Sequence, residues 1–328
     1  MDPHDSIKRR EAIEVERKNL DLLMQNGEHP NIVKVIEYCW RYFPYPKCTE
    51  LFALDMELGD VNLDEYIKSK FIQNNAIGVP VTEVWNIMVQ LSSGLSFLHL
   101  HRLIHCDLKP HNGNWCLTNE LIGVVVQRLG QHSIIWMLAD FGCTEEGSQH
   151  HLVTTTGTRG TELYLSPEMV EPTNFNNKVD IWGLGCIFHE LCTGTKAFAD
   201  LGALFDYLKG REVVPCVSDV LGSENRQGKI REAESGKLRA VGQNHRIREL
   251  RTQMWEAAQS LEDIVKGLHT PDAYSQCTEI NQLMAGMLNL NPLSRPTARQ
   301  VQARSAINMI VCRLEHDEVL DTDFASYE

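Results

Sequence analysis

The chain has no Cys-x-x-Cys pair, although ten cysteines are scattered from Cys39 to Cys312. Structural zinc sites gather their thiolates in such close pairs. A zinc-stapled fold is therefore excluded, and the cysteines read as reduced, buried thiols of an intracellular protein. Basic charge is short as well: 31 Lys and Arg stand against 44 Asp and Glu, for a formal net charge of −13. A protein that coats nucleic acid shows the opposite balance, so no nucleic-acid partner is expected. No uninterrupted apolar run approaches the length of a membrane span. The opening MDPHDSIKRREAIEVERKNL lacks the apolar core of a signal peptide. The expectation is a chain with no membrane partner, cytoplasmic or nuclear.

What is present suits a globular protein. Apolar residues make up 43% and charged residues 23% of 328, enough for one large domain or two modest ones. A helix is predicted over about 7–25, with Ile13, Leu20 and Leu23/Met24 at helical spacing and Asn26-Gly27 as its stop. Two β-like runs, 32–43 and 51–58, flank Pro44 and Pro46. The clearest helix is 82–100, capped by Thr82, with Val84, Ile87, Met88, Leu91, Leu95 and Leu98 on one face. A hairpin is predicted over 115–137, with the polar QRLGQHS at its tip. Residues 178–191, KVDIWGLGCIFHEL, are apolar on most sides and read as a buried helix. Residues 209–255 turn polar, and from Arg226 to Arg251 basic side chains outnumber acidic ones. That stretch reads as a solvated insertion, the alternative being a docking patch for an acidic partner.

Three short motifs carry chemistry. The first is His105-Cys106-Asp107-Leu108-Lys109-Pro110-His111-Asn112, the second Asp140-Phe141-Gly142. The third, Gly160-Thr161-Glu162-Leu163-Tyr164-Leu165-Ser166-Pro167-Glu168, precedes Asp180, Trp182 and Gly185 and, far downstream, Arg295 in NPLSRPTARQV. Carboxylates, a lysine and an amide in this order suit phosphoryl transfer, where positioning and charge neutralisation supply most of the rate. The motifs resemble those of eukaryotic-type protein kinases, whose catalytic loop commonly reads His-Arg-Asp-Leu-Lys-Pro-x-Asn. Within that loop this sequence departs only at Cys106.

The resemblance implies an α+β protein-kinase-like fold. Residues 1–58 would form a partial N-lobe of one helix and two strands, and 59–315 a mainly helical C-lobe with an insertion at about 209–270. Residues 316–328 would be an acidic tail. It also implies ATP and Mg2+ as cofactors and a protein substrate or docking partner. Asp107 would take the proton of the substrate hydroxyl and Lys109, the Ser/Thr-type choice, would neutralise the transferred phosphoryl group. Asn112 and Asp140 would hold the metal. Thr161 would bond Asp107 and Lys109. The backbone around Glu57 and Gly59, after the gatekeeper Met56, would hold adenine. His105 and Phe141 would pack together, Asp180 would brace the catalytic loop, and Glu168 would pair with Arg295.

Some parts of the family pattern are missing from this sequence. No Gly-x-Gly-x-x-Gly strand pair and no lysine strand lies upstream of HPNIV. Asn19 falls where the family keeps a glutamate, with Glu16 nearly a turn earlier. Cys106 replaces the arginine that docks a phosphorylated activation loop, so phosphate at Thr154, Thr155, Thr156 or Thr158 should not act through it. Cys106 is expected to be a buried, inert thiol. Asn114 stands where an apolar residue underlies adenine, unless a one-residue slip brings in Trp115. These features set two expectations side by side: a protein Ser/Thr kinase, or a pseudokinase or scaffold that keeps the C-lobe for docking. A small-molecule phosphotransferase is disfavoured by Asp180 and by the third motif, Gly160 to Glu168, which resembles the end of a kinase activation segment.

Overall fold

The helical period at the N-terminus extends to Pro3, giving α1 (Pro3–Gln25). It ends as the sequence suggests: Asn26 Nδ2 donates to the Leu22 carbonyl at 2.7 Å, and Gly27 takes a φ of 90° that a side chain would resist. The structure is a computed structural model that describes residues 3–43, 49–73, 78–110, 125–129, 134–154, 160–170, 174–210 and 276–324. Asn112, Asn114, Trp115, Thr155, Thr156, Thr158, the hairpin tip at 130–133, and 211–270 of the insertion lie outside these residues.

The His-Pro-Asn stretch leads from α1 into the sheets. Asn31 donates its amide to the Trp136 carbonyl at 2.9 Å, and the backbone of Asn31 and Val33 exchanges hydrogen bonds with Leu138. Next come β1 (Val35–Phe43) and β2 (Thr49–Met56), an antiparallel pair with Trp40 opposite Phe52. The short β3 (Val61–Asn62) precedes α2 (Leu63–Gln73), which the sequence reading did not single out. Asn62 caps that helix by accepting the Glu65 N–H at 2.9 Å.

The predicted long helix is α3 (Val81–Leu100), and all six residues of its predicted apolar face are buried. It is followed by β4 (Leu103–Ile104), then the hairpin strands β5 (Val125–Leu129) and β6 (Ile134–Leu138), and β7 (Glu145–Glu146). Among the described residues, β3, β5 and β6 form one antiparallel sheet, and β4 pairs with β7. Among the described residues the further α-helices are α4 (Pro167–Val170), α5 (Lys178–Thr193), α6 (Leu201–Leu208), α7 (Gln276–Met287) and α8 (Ala298–Phe324). The last reaches into the acidic tail.

The chain divides into two units, one of residues 1–66 and 93–183, the other of 67–92 and 184–328. In the first, Val33, Met137 and Ala139 form one buried cluster, and Ile104, Cys106, Phe175 and Val179 another. The second cluster matters most for the site, because it lies directly beneath the catalytic loop. In the second unit the Trp85 and Phe188 rings meet at 5.3 Å. A Cβ on Gly185 would lie 3.1 Å from Met287 and 3.0 Å from Leu288, so glycine there lets α5 and α7 close up. The Tyr207 hydroxyl donates to the Leu288 carbonyl at 2.7 Å. Each large apolar side chain so buried contributes about 1.5–3 kcal/mol.

Candidate active site

α3 delivers the chain to the site through Arg102, at a φ of 60°, and the two residues of β4. The next turn is strained: Cys106 has a φ of 67°, which costs a non-glycine residue about 1–3 kcal/mol. Asp180, on the first turn of α5 and 1% exposed, holds it there. Its carboxylate accepts the N–H of His105 at 2.9 Å, the N–H of Cys106 at 2.8 Å and Nε2 of His99 at 2.8 Å. Three donors on one buried carboxylate offset its desolvation and leave the loop one arrangement. The Cys106 side chain joins the apolar cluster below, with Sγ 3.5 Å from the Ile104 carbonyl.

Beyond that turn three polar side chains close a triangle. Lys109 Nζ lies 2.6 Å from Asp107 Oδ2 and 2.6 Å from Thr161 Oγ1. Thr161 donates in turn to Asp107 Oδ1 at 2.8 Å. Asp107 is 9% and Lys109 6% exposed, so the pair is shielded from bulk water and each charge is met by the other. Glycine lets the activation-segment motif come this close. Gly160 has a φ of 90°, and a Cβ on it would sit 2.7 Å from the Cys106 carbonyl.

The Asp-Phe-Gly turn follows β6. His105 Nε2 donates to the Ala139 carbonyl at 3.0 Å, which places the ring proton on that nitrogen, and its ring lies 5.7 Å from the buried Phe141 ring. Asp140 adopts a φ of 64° and accepts the Gly142 N–H at 3.4 Å. Glu16 of α1 faces the same turn: a Cβ on Gly142 would lie 3.4 Å from Asp140 Oδ1 and 3.8 Å from Glu16 Oε1. Burial, and then the charge of Asp140, raises the Glu16 carboxyl above its ordinary range. Asn19, one turn further along α1, is directed instead at the Thr144 carbonyl, 2.6 Å away.

After β2, Glu57 and Lys34 exchange bonds. The Glu57 N–H donates to the Lys34 carbonyl at 2.9 Å, and the Lys34 N–H donates to Glu57 Oε1 at 2.9 Å. The Glu57 carboxylate is thus turned onto β1's approach, and Gly59, two residues on, is buried. Glu168 lies half-buried on α4. Arg295 is buried in the other unit, with Nε on the Asn289 carbonyl at 2.7 Å.

The structure therefore brings Asp107, Lys109 and Thr161 into contact, with His105, Phe141 and Asp180 around them. Asn112 lies outside the described residues. Cys143 was not singled out in the sequence, yet its thiol sits at the site. Burial, and then the charges of Asp107 and Asp140, pushes it up, while the Gly160 N–H and Lys109 pull the other way. Its only sequence signal was adjacency to Asp140-Phe141-Gly142.

Comparison with known proteins bears on the same residues. The protein kinase domain family matches residues 4–306. Serine/threonine-protein kinase 36 of Pongo abelii is 31% identical over 178 residues, 54% of this chain and 11% of that protein. The serine/threonine-protein kinase/endoribonuclease ire-1 of Caenorhabditis elegans is 28% identical over 193 residues, 57% of this chain and 18% of that protein. Cyclin-dependent kinase 4 of Xenopus laevis is 31% identical over 170 residues, 51% and 46% of the two chains. The chain thus spans less than half the length of these relatives. A match over nearly the whole chain, together with relatives that are serine/threonine kinases, is decisive: the chain belongs to the protein kinase family.

Proposed function

We propose that this chain transfers the γ-phosphoryl group of ATP, with Mg2+, to serine or threonine hydroxyls of a protein substrate. The observation that carries the reading is the closed triangle of Asp107, Lys109 and Thr161. Each Asp107 oxygen holds one donor, so each keeps a lone pair for a substrate hydroxyl. Asp107 orients that hydroxyl and takes its proton. Lys109, already directed at Asp107, neutralises charge where the phosphoryl group arrives. Thr161 ties the activation segment to both, so the substrate-facing segment and the catalytic loop are set together. Asp180, through its three bonds, keeps the Asp107 backbone still.

The residues at the Asp-Phe-Gly turn suit a hard divalent cation. Asp140 supplies carboxylate oxygens, and the Glu16 carboxyl of α1 faces the same turn. Asp140 and Asn112 would hold Mg2+, which when bound supplies neutralisation of the phosphate oxygens. The main chain around Glu57 and Gly59 would hold adenine. Phosphate incorporation into protein by the full chain, with ATP and Mg2+, tests the reading; Asp107→Asn should abolish it.

A second reading, a pseudokinase or scaffold that binds partners through the C-lobe, draws on the fate of two side chains. The Asn19 amide is committed to the Thr144 carbonyl, and Cys106 is buried where an arginine would meet a phosphate. Capture of a partner protein by wild type and Asp107→Asn alike, with no phosphate incorporation by either, would favour it. Phosphorylation of a free sugar or amine, with none on protein, would favour a small-molecule phosphotransferase.

A further inference from the structure

Thr144 is the knot between the Asp-Phe-Gly turn and the catalytic loop. Its N–H donates to the Phe141 carbonyl at 3.1 Å, closing the turn Phe141–Thr144 that directly follows Asp140. The next residue, Glu145, starts β7 and pairs with Ile104, immediately before His105. The Thr144 carbonyl accepts from Asn19 Nδ2 at 2.6 Å, and both residues are buried, Asn19 at 3% and Thr144 at 0% exposure. One side-chain amide on α1 therefore grips the point where the cation-binding turn and the catalytic-loop strand meet.

We propose that Asn19 is a positioning residue for the cation site, fixing the Asp140 carboxylate through Thr144 and the Phe141–Thr144 turn that directly follows Asp140. The inference rests on Asp140 being a cation ligand, as in the reading above. Asp140 has a φ of 64°, and a non-glycine residue keeps such a backbone only where its surroundings over-determine it. The Asn19 bond is part of that surrounding. A further polar link between α1 and this segment, Lys18 to Glu146 at 3.2 Å, is exposed, and such pairs hold little. Glu16 faces the turn as well, and its charge opposes that of Asp140. The neutral amide is thus a buried tether from α1 to this segment. A carboxylate at position 19 has no proton to give the carbonyl and adds charge beside Glu16. A leucine fills similar space and gives no bond.

The test uses the full chain with a non-hydrolysable ATP analogue at fixed concentration and Mn2+ as the paramagnetic probe. Wild type should bind Mn2+, and Asp140→Asn should lose it. Asn19→Leu should weaken Mn2+ binding about tenfold, the size of one net hydrogen bond, and Asn19→Asp at least as much. Lys18→Ala should stay within about twofold of wild type. Melting temperatures recorded alongside separate loss of positioning from loss of fold. Linkage supplies a readout that needs no variant: Mn2+ should slow amide exchange in α1 around residues 16–22 as well as at 140–146. If Asn19→Leu binds Mn2+ as wild type does, or Mn2+ protects 140–146 and leaves α1 unchanged, the positioning role is overturned. If wild type binds no Mn2+, the cation reading of Asp140 fails first and takes the inference with it.

Discussion

A single hydroxyl at Thr161 donates to Asp107 and accepts from Lys109. Valine has the same shape and makes neither bond. Thr161→Val should therefore lower kcat roughly a hundredfold, with Thr161→Ser close to wild type. Steady-state kinetics with a protein substrate, and a thermal melt within a few degrees of wild type, would separate this from unfolding. Most of these residues were legible in the sequence because the catalytic loop is contiguous: Asp107 and Lys109 lie two apart and need only one turn of backbone to meet. Glu16 and Cys143 were harder to see as neighbours of Asp140. Glu16 comes near only because α1 packs beside the turn, and spacing along one chain carries no record of that approach. Asn19 was legible by position and not by partner, since a main-chain carbonyl leaves no mark in a sequence.

Among the elements, α3 and α5 were plain from their patterns, a one-sided apolar face in the first and apolar residues nearly all round in the second. α2 was not, because its signal is the cap at Asn62 and a short run with charges interspersed. The approach of Thr161 to Asp107 and Lys109 was expected from the resemblance, whereas the tight fit of Gly160 against the Cys106 carbonyl was not legible in the sequence. Gly160→Ala should be destabilising by about 1–3 kcal/mol, since the residue is at φ 90° and a Cβ meets the Cys106 carbonyl at 2.7 Å. A lower urea midpoint with an unchanged slope is the expected record.

The end of α5 offers a pH test. His189 is buried, bonds the Thr195 carbonyl through Nδ1 at 3.1 Å, and burial lowers its pKa below the ordinary value of 6.5, partly opposed by that carbonyl. The unfolded chain then binds a proton before the folded one does. Its contribution is in full force above about pH 6.5 and is lost as pH falls through the depressed folded value. Urea midpoints from pH 7.5 downward should fall more steeply for wild type than for His189→Gln. Equal slopes would remove His189 from the explanation.

For the molecule as a whole, the family match across residues 4–306 and the mutual contacts of Asp107, Lys109 and Thr161 together support the proposed phosphoryl transfer. The acidic balance argues against a nucleic-acid coat, and among the described residues no helix is long and apolar enough to cross a membrane. The division into two units was not legible, because its boundaries fall within α2, α3 and α5, where helical periodicity runs on without a break. Substrate choice belongs to this scale too. The relatives are far longer than the stretch this chain matches, so a protein substrate is sought with the full chain and a broad panel of proteins.

The most direct measurement is phosphate incorporation into protein serine or threonine from labelled ATP and Mg2+, comparing wild type with Asp107→Asn. Expected is incorporation by wild type that falls about a thousandfold in the variant, with both proteins melting alike. Equal incorporation by the two, or none by a wild-type chain that binds ATP and Mg2+, would contradict a phosphoryl-transfer role for the Asp107–Lys109–Thr161 triangle.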